Sequence, residues 1–146
     1  MNTTRATIRL SVAAALFAAL GACSSVSLNT QTFGGALSGA QEVPAVTSGG
    51  SGSIEATLDK ATNKLKYRVT YSGLSGPATM AHFHGPAAAG QNAGVVVAFP
   101  NASSPIEGEA QLTAAQAADL MAGRWYVNVH SQRNPPGEIR AQVLPR

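Results

Sequence analysis

Apolar and polar positions alternate most cleanly over residues 64–71, where Leu65, Tyr67, Val69 and Tyr71 share one face and Lys64, Lys66, Arg68 and Thr70 the other. A strand sends successive side chains to opposite faces, so a period of two predicts a half-buried β-strand. Ile54, Ala56 and Leu58 alternate with Ser53, Glu55 and Thr57 just upstream, and residues 59–63 between the two runs predict a hairpin. Residues 95–99 are apolar on both faces and predict a more buried strand, while residues 107–112 carry a weaker strand signal. Near the C-terminus Trp125, Val127 and Val129 alternate with Tyr126, Asn128 and His130, and Ile139, Ala141 and Val143 alternate with Arg140 and Gln142. Pro136-Gly137 between these runs suits a tight turn, proline presetting φ and glycine accepting a positive one. One segment breaks the period: Thr113-Ala114-Ala115-Gln116 has capping-box spacing, Ala117, Leu120 and Met121 form a short apolar stripe, and Gly123 is a stop signal. Together these patterns predict an all-β domain, an antiparallel Greek-key β-sandwich of about seven or eight strands with one short connecting helix.

The first residues follow a different logic. Arg5 and Arg9 form a basic region ahead of an alanine-rich apolar run, residues 10–20, which is shorter than the about 20 residues a membrane span needs. The run ends in Leu20-Gly21-Ala22-Cys23, which resembles a bacterial lipobox, with Cys23 as the lipidated first residue of the mature chain. Ser24 after the cysteine, by similarity to Gram-negative lipoproteins, implies sorting to the outer membrane, periplasmic side. The expected organisation is a lipoprotein signal peptide at 1–22, a lipidated N-terminus and flexible tether at 23–35, and one β-domain at 36–146. Cys23 is the only cysteine, so the domain has no disulfide and depends on its core. Beyond residue 22 the Lys and Arg total falls by two from the 10 of the whole chain, against 7 Asp and Glu. No basic cluster with interleaved aromatics remains, which argues against nucleic-acid binding.

The candidate chemistry lies in the histidines. The chain has 3, all within Ala81-His82-Phe83-His84-Gly85-Pro86 and Tyr126-Val127-Asn128-Val129-His130. In each segment they fall opposite the large apolar residues, on what the pattern makes the solvent face, and His82 and His84 stand about 6.6 Å apart along a strand. Two imidazoles from one strand and a third from another make a three-nitrogen metal site that leaves a coordination position open. Imidazole suits copper, zinc, nickel or iron, and the order of divalent affinities favours copper over zinc. Met80 shares the face of His82, and a thioether there would favour the cuprous ion. The tightest regular register of the last hairpin sets Asn128 opposite Arg140, Tyr126 opposite Gln142, and His130 opposite Glu138. Glu138 would then either coordinate the metal or orient an imidazole by accepting its N–H. The competing reading is a polar outer face that happens to carry histidines, with Glu138 and Arg140 as a surface ion pair.

At this point the chain resembles the CHRD domain family, named for its occurrence in chordin. The resemblance spans about residues 36–143. It rests on Leu37-Ser38-Gly39-Ala40-Gln41-Glu42-Val43-Pro44, the His82 segment through Ala87, Leu112-Thr113 with Ala122-Gly123, and the His130 segment through Ser131 with Pro136-Gly137-Glu138-Ile139-Arg140. It implies an extracytoplasmic β-domain and no settled activity. A weaker similarity is to copper–zinc superoxide dismutase, in which a His-x-His strand of a Greek-key sandwich binds copper. This chain lacks the further histidines, the zinc loop and the cysteines of that enzyme. The leading expectation is a lipid-anchored periplasmic copper-binding protein that sequesters, buffers or transfers the metal. The alternatives are a metal-free module binding an envelope protein, and a copper-dependent redox enzyme.

Overall fold

The computed structural model describes residues 29–146; the expected signal peptide and Cys23 lie outside them. Eight strands follow in chain order: β1 (Thr30–Ser38), β2 (Ser51–Asp59), β3 (Lys64–Ser72), β4 (Ala78–His84), β5 (Val95–Ala98), β6 (Ile106–Gln111), β7 (Trp125–Ser131) and β8 (Ile139–Pro145). The one α-helix among the described residues, α1 (Ala114–Met121), links β6 to β7. The strands form one antiparallel sheet in the order β5-β4-β7-β8-β1-β2-β3-β6. That sheet curls until its two halves face each other, so that Tyr67 of β3 meets Phe83 of β4 edge-on, with ring centroids 5.2 Å apart. The expected all-β antiparallel fold is present, and its two layers are the halves of one continuous, nearly barrel-shaped sheet.

The alternating runs account for the interior. Ile54, Leu65, Val69, Phe83, Trp125 and Val127 are all fully buried in one cluster, each contributing about 1.5–3 kcal/mol or more by leaving water. The β2–β3 hairpin pairs without a slip from Ser51↔Ser72 to Asp59↔Lys64. Its turn is held by Asp59, whose Oδ1 accepts from the Ala61 and Thr62 amides. Thr113 caps α1 as its spacing predicts, its hydroxyl accepting from the Gln116 amide while the Gln116 side chain accepts from the Thr113 amide. Ala117 and Leu120 are buried beneath the helix, whereas Met121 is partly exposed.

Two expectations need correction. The tether does not run to residue 35: β1 begins at Thr30, pairs along its length with β2, and buries Phe33. A single aromatic among small polar residues gives no period, which is why this strand carries no pattern. The Val95 strand is an edge strand, not a central one. Val96, Val97 and Phe99 pack partly on the core while Val95 at the start of the strand remains exposed, so both faces are only partly covered, as at a sheet edge.

Candidate metal centre

β4 and β7 are neighbours, and their register sets Met80 opposite His130, His82 opposite Asn128 and His84 opposite Tyr126. Partners across an antiparallel pair project to the same side. The three imidazoles therefore converge, and one ring nitrogen from each of His82, His84 and His130 lies within 4.8 Å of the others. Two nitrogens bound to one tetrahedral ion at about 2.0–2.1 Å lie about 3.4 Å apart, so gathering an ion asks the widest pair to close by about 1.4 Å. His82 is the one of the three that is not buried, so its ring has the most room to move.

The hydrogen bonds assign the tautomers. His84 Nδ1 lies 3.0 Å from the Ala93 carbonyl and His130 Nδ1 lies 2.8 Å from the Pro135 carbonyl. A carbonyl only accepts, so both Nδ1 atoms carry hydrogen and both Nε2 atoms present lone pairs. His130 Nε2 receives the Nδ1–H of His82 at 3.2 Å. His84 Nε2 is buried, and although the Asn128 side chain lies close enough to act on the ring, no group meets Nε2 in hydrogen-bond geometry. Burial lowers the pKa of His82, and the neighbouring His130 and His84 lower it further. Burial also lowers that of His84, against the opposing hydrogen bond to Ala93. Both rings are held in the neutral form that binds metal.

Most of this face is covered, contrary to the alternation. Every residue of β7 is buried. The segment 85–94 folds across the histidine side, and Gly85 at its start lies tight against Trp125. A Cβ on Gly85 would sit 2.6 Å from Trp125 Cδ1 and 2.9 Å from the Arg124 carbonyl. The Asn92 side chain donates to the Val43 carbonyl at 2.9 Å, and Gln142 donates to the Ala87 carbonyl at 3.0 Å.

The CHRD domain profile matches residues 33–143. The chain belongs to the CHRD domain family. Searches of curated proteins and of solved structures return no match.

Within this CHRD domain the remaining candidates separate. Met80 keeps its place on the histidine face, about half exposed and opposite His130. Glu138 leaves that face. The regular ladder ends at Val129↔Ile139, and the Glu138 amide donates to the Val129 carbonyl, so Glu138 never pairs with His130. Its carboxylate turns instead into a buried pocket of hydroxyls, where Oε1 accepts from the Ser48 hydroxyl and the Ser75 amide, both at 2.6 Å. Oε2 accepts from the Ser75 hydroxyl at 2.9 Å and from the Ser131 hydroxyl. Burial alone would raise this carboxyl, but the hydrogen bonds overrule it and hold the pKa at about 2. The two roles assigned to Glu138, ligand or imidazole partner, fall instead to no carboxylate: the partners of His84 and His130 are main-chain carbonyls.

The Glu138–Arg140 surface ion pair is likewise absent. Arg140 is 1% exposed and lies over the Tyr126 ring, with Cζ 3.4 Å from its centroid. The residue that the CHRD motif contains and the pattern does not single out is Glu42, buried near Asn128 and Arg140 with Oε1 unpartnered. Burial pushes its carboxyl up to about 7, against the pull of Arg140 and Asn128. Gly137 makes room for it, since a Cβ there would stand 2.7 Å from both Glu42 Oε1 and Asn128 Nδ2.

Proposed function

We propose that this CHRD domain binds a single transition-metal ion, copper being the best match, through His82, His84 and His130, and that it sequesters, buffers or transfers that ion as a lipid-anchored protein of the cell envelope. The observation that carries the reading is His84 Nε2. It is a buried lone pair with no partner, in a ring whose other nitrogen is tied to the Ala93 carbonyl, beside two further imidazoles. Leaving such an acceptor unsatisfied costs about 1–3 kcal/mol, an expense that a bound ion would remove. Main-chain carbonyls on the far nitrogens of two rings are the supports metal-bound histidines ordinarily have. An all-imidazole set of three accepts zinc as well as copper, and the affinity order favours copper. Met80, at the exposed rim, adds a soft ligand suited to the cuprous ion.

The test is a copper and zinc titration of the folded protein with elemental analysis. Binding of about one copper per chain, tighter than zinc, is expected, with each of His82→Ala, His84→Ala and His130→Ala reducing affinity sharply. A folded triple-alanine variant that binds copper as tightly as the parent overturns the site, and the metal-free interaction module then becomes the better account.

A further inference from the structure

Arg140 stands where the alternation of β8 would put a solvent-facing charge, yet it is buried, and among the described residues it forms no salt bridge. A buried guanidinium is unfavourable unless partners take up its charge and donors, and the Glu42 carboxyl acts on that charge from nearby without forming a salt bridge. Nη1 donates to Asn92 Oδ1 at 3.0 Å and Nη2 to the Gln91 carbonyl at 2.7 Å. Its plane rests on Tyr126. β4 and β8 flank β7 on opposite sides, so the other face of the same ring meets His84, parallel within 2° and with centroids 4.8 Å apart. The segment that Arg140 grips leads directly to Ala93. The Ala93 amide donates to the Tyr126 hydroxyl at 3.1 Å, and its carbonyl accepts from that hydroxyl at 3.2 Å and from His84 Nδ1 at 3.0 Å.

Two routes thus run from one guanidinium to one imidazole, the first through a stacked ring and the second through a strap of backbone. We propose that Arg140 is the positioning residue of the three-imidazole cluster, holding His84 in the tautomer and orientation that turn Nε2 toward His82 and His130. The purpose of this arrangement rests on the metal-binding reading; the arrangement itself is testable without metal. Lysine would not substitute, because it lacks both the planar fork for Gln91 and Asn92 and the flat face for Tyr126. His130 is an internal control, since its Nδ1 is held by Pro135.

Nitrogen–proton correlation NMR on the metal-free protein reads the tautomer of each imidazole. His84 and His130 should both appear as fixed Nδ1–H tautomers in the parent. In Arg140→Met and Arg140→Lys, His84 should become a mixture of tautomers while His130 stays fixed. Asn92→Ala, at an exposed position that removes one of the two grips, should move His84 in the same direction and less far. This variant and Arg140→Lys decide the matter should Arg140→Met fail to fold. On copper titration Arg140→Met should lose about 10–100-fold in affinity, and much less than that when His84 is already alanine. A fixed His84 Nδ1–H tautomer in folded Arg140→Lys and Asn92→Ala overturns the positioning role. Absence of copper binding by the parent overturns the metal reading alone, and the tautomer result then decides the role of Arg140.

Discussion

Replacing Glu138 by glutamine isolates the contribution of one buried carboxylate. The side chain is 0% exposed and takes four hydrogen bonds, from Ser48, Ser131 and two groups of Ser75. Those serines belong to three separate segments: the loop before β2, the crossover from β3 to β4, and the end of β7. An amide of the same shape keeps one acceptor oxygen and turns an NH2 toward donors. The serine hydroxyls can rotate to accommodate it, but the Ser75 amide cannot. The carboxyl pKa drops from 4.5 to about 2 on folding, which corresponds to about 3 kcal/mol, and allowing for solvent screening we expect about 2–3 kcal/mol. A charged hydrogen bond contributes about 1.5–3 kcal/mol, so loss of one such bond gives a similar figure. Because the folded pKa lies below the unfolded one, the stabilisation is complete above about pH 4.5 and is lost as pH falls towards 2. Urea unfolding of parent and Glu138→Gln should therefore show a gap of about 2–3 kcal/mol at pH 7 that narrows steadily below pH 4.5. A gap under about 0.5 kcal/mol, or one that stays constant from pH 7 to pH 2.5, would refute the reasoning. Copper affinity should be nearly unchanged in the same variant, because the carboxylate faces away from the histidines.

Trp125→Ala should lose about 3–5 kcal/mol or fail to fold, since the indole is fully buried, whereas Lys66→Ala, which removes an exposed ion pair with Glu109, should change stability by less than about 0.5 kcal/mol; thermal melts compare the two. Gly137→Ala should destabilise by about 1–3 kcal/mol, because φ is +140° there and the new methyl would collide with Glu42 and Asn128; a melting point equal to the parent's would show that the turn relaxes freely. Cys23→Ser should release the protein from the membrane fraction and leave it without added lipid mass, and persistence of both in the variant counts against the lipobox.

The fold was readable where one face of a strand is dry and the other wet, as in β2 and β3, because burial then imprints a period of two. It was less readable in β1, where Phe33 is the only large side chain before Leu37, and in β5, where three consecutive valines suit an edge as well as a centre. The convergence of the histidines followed from the same alternation, since residues two apart share a face and the strands carrying them share the core. The covering of that face did not. A loop such as 85–94 crosses a sheet through main-chain hydrogen bonds, and the carbonyls of Ala93 and Pro135 that orient His84 and His130 have no side-chain signature. Glu138 was misplaced because the ladder stops one residue short of it beside Gly137, and a slip of one residue exchanges the two faces. Arg140 was read as half of a surface ion pair and Glu42 was not singled out; only the tertiary structure buries the two near each other.

The register has a further consequence for how the molecule would stand on a surface. His82, Asn128, Arg140 and Ser38 lie in one row across β4, β7, β8 and β1, at the far end of β1 from Thr30. Eight residue steps at about 3.3 Å place that row about 26 Å along the strand from its N-terminal entry. Any anchor that precedes Thr30 would hold the barrel by its opposite rim. The row that carries His82 would then lie at the end of the barrel farthest from the attachment plane.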